Sequence, residues 1–209
     1  MSSDRKHRQI GLVLFDDAEE LDFVGPFEVF TMANEVFGHL GEQPRHDVLL
    51  ISETGKRVRC AKGMEIAATH SFADAPQLDV LLIPGGNGTR REEHHQPMLD
   101  FLKGQAKGAE WVTSVCTGSL VLGAAGLTEG KRVTTHWAFV PDLRKRGYAG
   151  EVLEAIRYVR DGNLVTSAGV SAGIDMALWL TGQIYSPDHA RLTQKAMEYD
   201  PAPPYSAAV

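Results

Sequence analysis

The chain has 209 residues, 43% hydrophobic and 23% charged, an ordinary composition for a globular protein with a substantial core. Its net charge of −6, with no sustained basic stripe, argues against nucleic acid as a partner. The start of the chain lacks an apolar signal region, and no apolar run is long enough to span a bilayer. A cytoplasmic protein with no membrane partner is therefore the expectation.

Residues 1–8 read as a flexible tail to one domain spanning 1–209, with no linker or repeat dividing it. Residues 9–15 (Q-I-G-L-V-L-F) form a nearly continuous apolar run, the pattern of a strand buried on both faces of a parallel sheet. After the turn D-D-A-E-E-L-D, a helix is predicted with Pro26 at its first position and Phe27, Phe30 and Val36 on one face. A loop over 38–46 precedes a second buried strand at 47–51 and a hairpin through 58–69, punctuated by Gly55 and Gly63.

A third buried strand, 78–83, ends abruptly in P-G-G-N-G. The run R-R-E-E-H-H reads as a solvated charge run leading into a helix over 97–107. Residues 111–115 (W-V-T-S-V) predict a strand, and from Thr117 small and aliphatic residues predict a helix stopped by Gly126. There follow a short strand at 132–135, a helix over 138–146 closed by Gly147, and a hairpin turning on Asp161-Gly162. An apolar helix over 172–185 and an amphipathic one from Pro187 to about residue 199 complete the order. The tail P-A-P-P-Y is expected to be extended. Strands alternating with helices predict an α/β fold with a mostly parallel sheet, helices on both faces, and ligands bound beyond the carboxyl ends of the strands.

Three predicted loops meet at that edge. Cys116 stands where a strand turns into a helix, so the helix dipole should favour its thiolate and lower its pKa. Against this, a cysteine in an apolar segment is often a small core residue. Cys60, in a charged hairpin with no base nearby, is read as structural, and without a secretion signal the two thiols are not expected to pair. Gly85 and Gly86 can bring backbone amides close to a reacting atom, and with the amide of Thr117 form an oxyanion-type pocket. Asp22 beside a thiolate would have its pKa raised by like charge; otherwise it is a solvated turn acid. His136 is a candidate base or a hydrogen-bonded structural residue. His94 and His95 have no second cluster at ligand spacing, so no metal is expected.

The segment V-T-S-V-C-T-G-S-L-V-L-G-A-A-G-L-T-E-G-K-R-V-T-T-H-W, with L-D-F-V-G-P, L-D-V-L-L-I-P-G-G and A-G-V-S-A-G-I-D, resembles the DJ-1/PfpI superfamily. The C-terminal E-Y-x-P-A-P-P is similar to that of its isocyanide hydratase subgroup. The resemblance implies a flavodoxin-like sandwich with a cysteine nucleophile elbow. It places the nucleophile on Cys116, the acidic partner on Asp22, the elbow threonine on Thr117 and the amide pocket on Gly86 and Thr117, with His136 and Gly169 behind them. Thr117 stands where protease-like and glyoxalase-like members place His. The implied activity is addition of water to an isocyanide substrate through a covalent thioimidate, without a cofactor, by a homodimer. Two further expectations follow from the resemblance: a redox sensor oxidised at Cys116, and a ligand-binding domain related to AraC-type regulators.

Overall fold

The computed structural model describes residues 6–201, so the predicted extended tail lies, beyond Pro201, outside the described residues. Strand β1 (Arg8–Val13) takes in Arg8, which the sequence reading left in the tail. The Arg8 amide donates to the Arg45 carbonyl and its side chain pairs with Glu110, while Lys6 pairs with Asp79. Polar residues are held here by ladder bonds and ion pairs that a hydropathy pattern does not register.

Helix α1 (Glu20–His39) begins at Glu20, and Pro26 lies inside it instead of at its first position. An interior proline removes only its own N–H, which would have reached the carbonyl of Asp22. Glu20 and Asp22 then occupy the first turn, where acidic groups complement the helix dipole. The helix is pinned from below: His46 Nε2 meets the Phe30 carbonyl at 2.8 Å, and His189 Nε2 meets that of Ala33 at 3.0 Å.

Strand β2 (His46–Ser52) follows, then the antiparallel hairpin β3 (Arg57–Arg59) and β4 (Glu65–Ala67), and β5 (His70–Ser71), which adds a short parallel edge to β2. Strand β6 (Val80–Ile83) leads to α2 (Thr89–Glu92) and α3 (Gln96–Ala106); β7 (Trp111–Val115) leads to α4 (Gly118–Ala124). Beyond it lie β8 (Arg132–Val133), a 3-10 turn (Trp137–Phe139), α5 (Val140–Arg146) and β9 (Glu151–Val152). The hairpin β10 (Tyr158–Asp161) and β11 (Leu164–Ser167), then α6 (Ala172–Ile184) and α7 (Pro187–Ala196), complete the described chain.

The main sheet has the order β10-β11-β7-β6-β1-β2-β5. Its strands are parallel except β10, which runs antiparallel to β11. Helices α1, α6 and α7 pack together, as do α2, α3 and α4, giving a flavodoxin-like sandwich with a helical layer on each face. Every residue of β6 and β7 is buried, as their unbroken apolar runs require.

The R-R-E-E-H-H run is not a solvated face. Glu92 and Glu93 are each only 5% exposed. Glu92 accepts from Arg91, while both carboxylate oxygens of Glu93 accept from Arg146, at 2.8 Å each. Pairing offsets the cost of burying these charges, and it ties α2 to α5 beside the site.

Candidate active site

Cys116 sits between β7 and α4 with φ +55°, the left-handed backbone that side chains rarely adopt. The elbow is held on all sides. The Cys116 amide donates to the carbonyls of Ser167 and Ala168, and its own carbonyl accepts from the hydroxyls of Thr135 (2.9 Å) and Ser119 (3.1 Å). Such strain, at about 1–3 kcal/mol, persists only where the surroundings over-determine it.

Asp22 in the first turn of α1 is fully buried. Its Oδ2 accepts from the Gly85 amide at 2.8 Å. Its Oδ1 has no nitrogen or oxygen partner among the described residues, and the carboxyl's side-chain hydrogen bond is to the Cys116 thiol. Burial, reinforced by nearby Glu19, pushes the Asp22 pKa up to about 7, against the pull of the Gly85 amide and Lys62. A carboxyl so placed exchanges its proton near neutrality.

The thiol itself departs from expectation. Burial first, and the Asp22 carboxylate second, push Cys116 up to about 12; the amide and hydroxyl of Thr117 and the amide of Val170 pull the other way. Helix α4 has only seven residues and the thiol is 6% exposed, so desolvation outweighs the dipole. Protonation of Asp22 removes its repulsion and leaves the sulfur facing these three donors.

The glycine amides are also used differently from the predicted oxyanion pocket. Gly85 N–H holds Asp22, and Gly86 N–H donates to Thr117 Oγ1 at 3.1 Å, so both position other groups. The amides directed at sulfur are those of Thr117 and Val170. Val170, also left-handed with φ +48°, lies in the loop after β11, a fourth strand end at the same edge. Gly85 is needed for close approach: a Cβ there would lie 2.6 Å from the Thr117 nitrogen and 2.8 Å from the Cys116 Cβ. Gly85→Ala is expected to cost about 1–3 kcal/mol through overpacking and to displace the elbow. Thermal unfolding and the rate of Cys116 alkylation would measure both, and unchanged values would show that the contact is slack.

His136 stands close by but makes no hydrogen bond to Cys116 among the described residues. Its Nδ1 accepts from the Ala138 amide at 3.2 Å, capping the 3-10 turn, and burial lowers its pKa. Gly169 packs on its ring, where a Cβ would come within 2.1 Å of Cδ2. Cys60 is buried, unpaired and remote from any base, and burial pushes its pKa up to about 11. Among the described residues no cluster of metal-ligating side chains occurs, and no helix is long and apolar enough to cross a membrane.

A pocket of about 150 Å³ opens over Cys116 and Thr117, walled by Glu19, Arg90, His136, Phe139 and Val170. A larger cavity of about 340 Å³, beside Phe15 and Phe72, contains no cysteine. Arg90 and Phe139 had no predicted role. Their proximity follows from the α2–α5 clasp, which joins segments far apart in sequence.

Comparison with known proteins accords with this geometry. The DJ-1/PfpI family pattern matches residues 8–183. Isonitrile hydratase of Pseudomonas putida is 43% identical over 202 residues, covering 95% of this chain and 82% of that protein. The HTH-type transcriptional regulator GbdR of Pseudomonas aeruginosa is 28% identical over 86% of this chain, which spans only 47% of the regulator. A crystal structure of a ThiJ/PfpI family protein from Pseudomonas syringae superposes with a TM-score of 0.85 at 32% identity, covering 97% of this chain and 79% of that one. The chain belongs to the DJ-1/PfpI family.

Proposed function

We propose that the protein adds water to a small isocyanide, R–N≡C, to release the N-formamide R–NH–CHO. The observation that carries this reading is the Asp22–Cys116 pair, a buried thiol beside a carboxyl whose pKa lies at about 7. The similarity to isonitrile hydratase identifies the electrophile it suits.

In the reactive state the pair holds one proton. Sulfur bonds to the terminal carbon of the isocyanide as that carbon takes the proton through Asp22, giving the thioimidate S–CH=N–R. The Asp22 carboxylate then takes a proton from water as the oxygen adds to the same carbon, and that proton passes to nitrogen. Collapse of the resulting S–CH(OH)–NH–R breaks the C–S bond, forms the carbonyl, and returns the hydroxyl proton to the pair. The amides of Thr117 and Val170 stabilise negative charge on sulfur as it enters and leaves. Hydration is redox-neutral, and each proton is accounted for by the pair and one water.

The test is production of N-formamide from aryl and alkyl isocyanides by the purified protein, followed by chromatography. Turnover that disappears in Cys116→Ala is the expected result. A protein that converts no member of the panel, while Cys116 still reacts with oxidants, would overturn the reading.

A further inference from the structure

Arg90 is a permanent cation in the wall of the Cys116 pocket, and it has no carboxylate partner among the described residues. Its neighbours are paired: Arg91 with Asp17 and Glu92, and Arg146 with Glu93. Arg90 is instead fixed by neutral groups. Its Nη1 donates to the Gly86 carbonyl (2.9 Å) and the Thr89 hydroxyl (3.0 Å), and its guanidinium lies over the Phe139 ring at 4.3 Å.

These contacts leave Nε and Nη2, the fork that matches a carboxylate, without an acceptor among the described residues. In Arg146 the same two atoms hold Glu93, with Nε on one oxygen and Nη2 on the other. The acids of the pocket do not fill the Arg90 fork: Glu19 pairs with Lys62, and Asp22 is fully buried against Gly85 and Cys116. A rigid, uncompensated guanidinium beside a reactive thiol selects for negative charge.

We infer that the pocket takes a small isocyanide bearing a carboxylate, an isocyano acid, with the carboxylate on the Nε–Nη2 edge of Arg90 and the isocyano carbon at Cys116. A volume of about 150 Å³ restricts the remainder to a few heavy atoms. The carboxylate makes and breaks no bond. The inference rests on the hydratase reading for the reacting group, and on Arg90 alone for the anion.

The experiment compares isocyanoacetate with its methyl ester in wild type, Arg90→Gln and Arg90→Lys. The expected result is an acid-to-ester ratio of kcat/KM that falls about ten- to a hundredfold in Arg90→Gln, the range for a charge-assisted bond, and is partly restored in Arg90→Lys. In parallel, alkylation of Cys116 by iodoacetate and by iodoacetamide is read by mass spectrometry and normalised to a free thiol. The anion-to-neutral ratio should fall in the Gln variant. Ratios that do not change between wild type and Arg90→Gln overturn the inference while leaving the hydratase reading intact. If no isocyanide is hydrated but the alkylation ratio depends on Arg90, the anion subsite stands and the hydratase reading falls.

Discussion

Asp22→Asn is expected to lower kcat/KM for isocyanide hydration by about 10²–10⁴-fold, the usual worth of a positioned acid–base group. The same change should stabilise the fold. The carboxyl has a pKa of 3.8 as a free side chain and about 7 in the folded protein. Between those values the folded protein retains a proton that the unfolded chain has released, so stability falls as pH rises through this window and stays lower above it. Below the window both states are protonated and the penalty is absent. The shift corresponds to roughly 4 kcal/mol at most. Asn carries no charge and keeps an oxygen for the Gly85 amide. Its melting temperature should exceed that of wild type at about pH 8, with the gap closing toward about pH 4. A variant less stable than wild type under alkaline conditions would sink this account. In wild type the one-proton pair forms as Asp22 ionises, so kcat/KM should rise through about pH 7.

Arg146→Met is expected to have the largest effect on stability outside the catalytic pair. It strands the Glu93 carboxylate, whose side chain is 3% exposed and whose two oxygens both accept from the guanidinium. Breaking a buried pair from one side costs about 3–5 kcal/mol; Arg146 is partly exposed, which favours the lower end. Thermal unfolding should show a melting temperature lower by about 6–12 °C. The double variant Glu93→Leu with Arg146→Met should recover most of the loss, because no charge is then left buried alone. A single variant that melts with wild type would show the clasp to be ornamental.

The parallel strands were legible in the sequence because a strand buried on both faces must be apolar throughout, and residues 9–15, 78–83 and 111–115 are. The elbow at Cys116 was legible for a related reason, since a β-branched run gives way to small residues at helical spacing. Helix α1 was misread where a local rule, proline at a helix start, lost to packing: with Glu20 as the first helical residue, Asp22 is buried against the elbow. The charge run from Arg90 to Glu93 was misread because each partner that buries it lies elsewhere in the chain.

Local composition and periodicity thus determined the alternation of elements, the sheet edge where the loops converge, and the residue types able to supply a nucleophile and an acid. Only the tertiary structure decided which amides face sulfur, that both members of the Asp22–Cys116 pair are pushed upward, and that Arg90 is left without a partner. The physical reason is that desolvation and charge pairing depend on what surrounds a group in three dimensions, and those surroundings come from strand ends and helices distant in sequence.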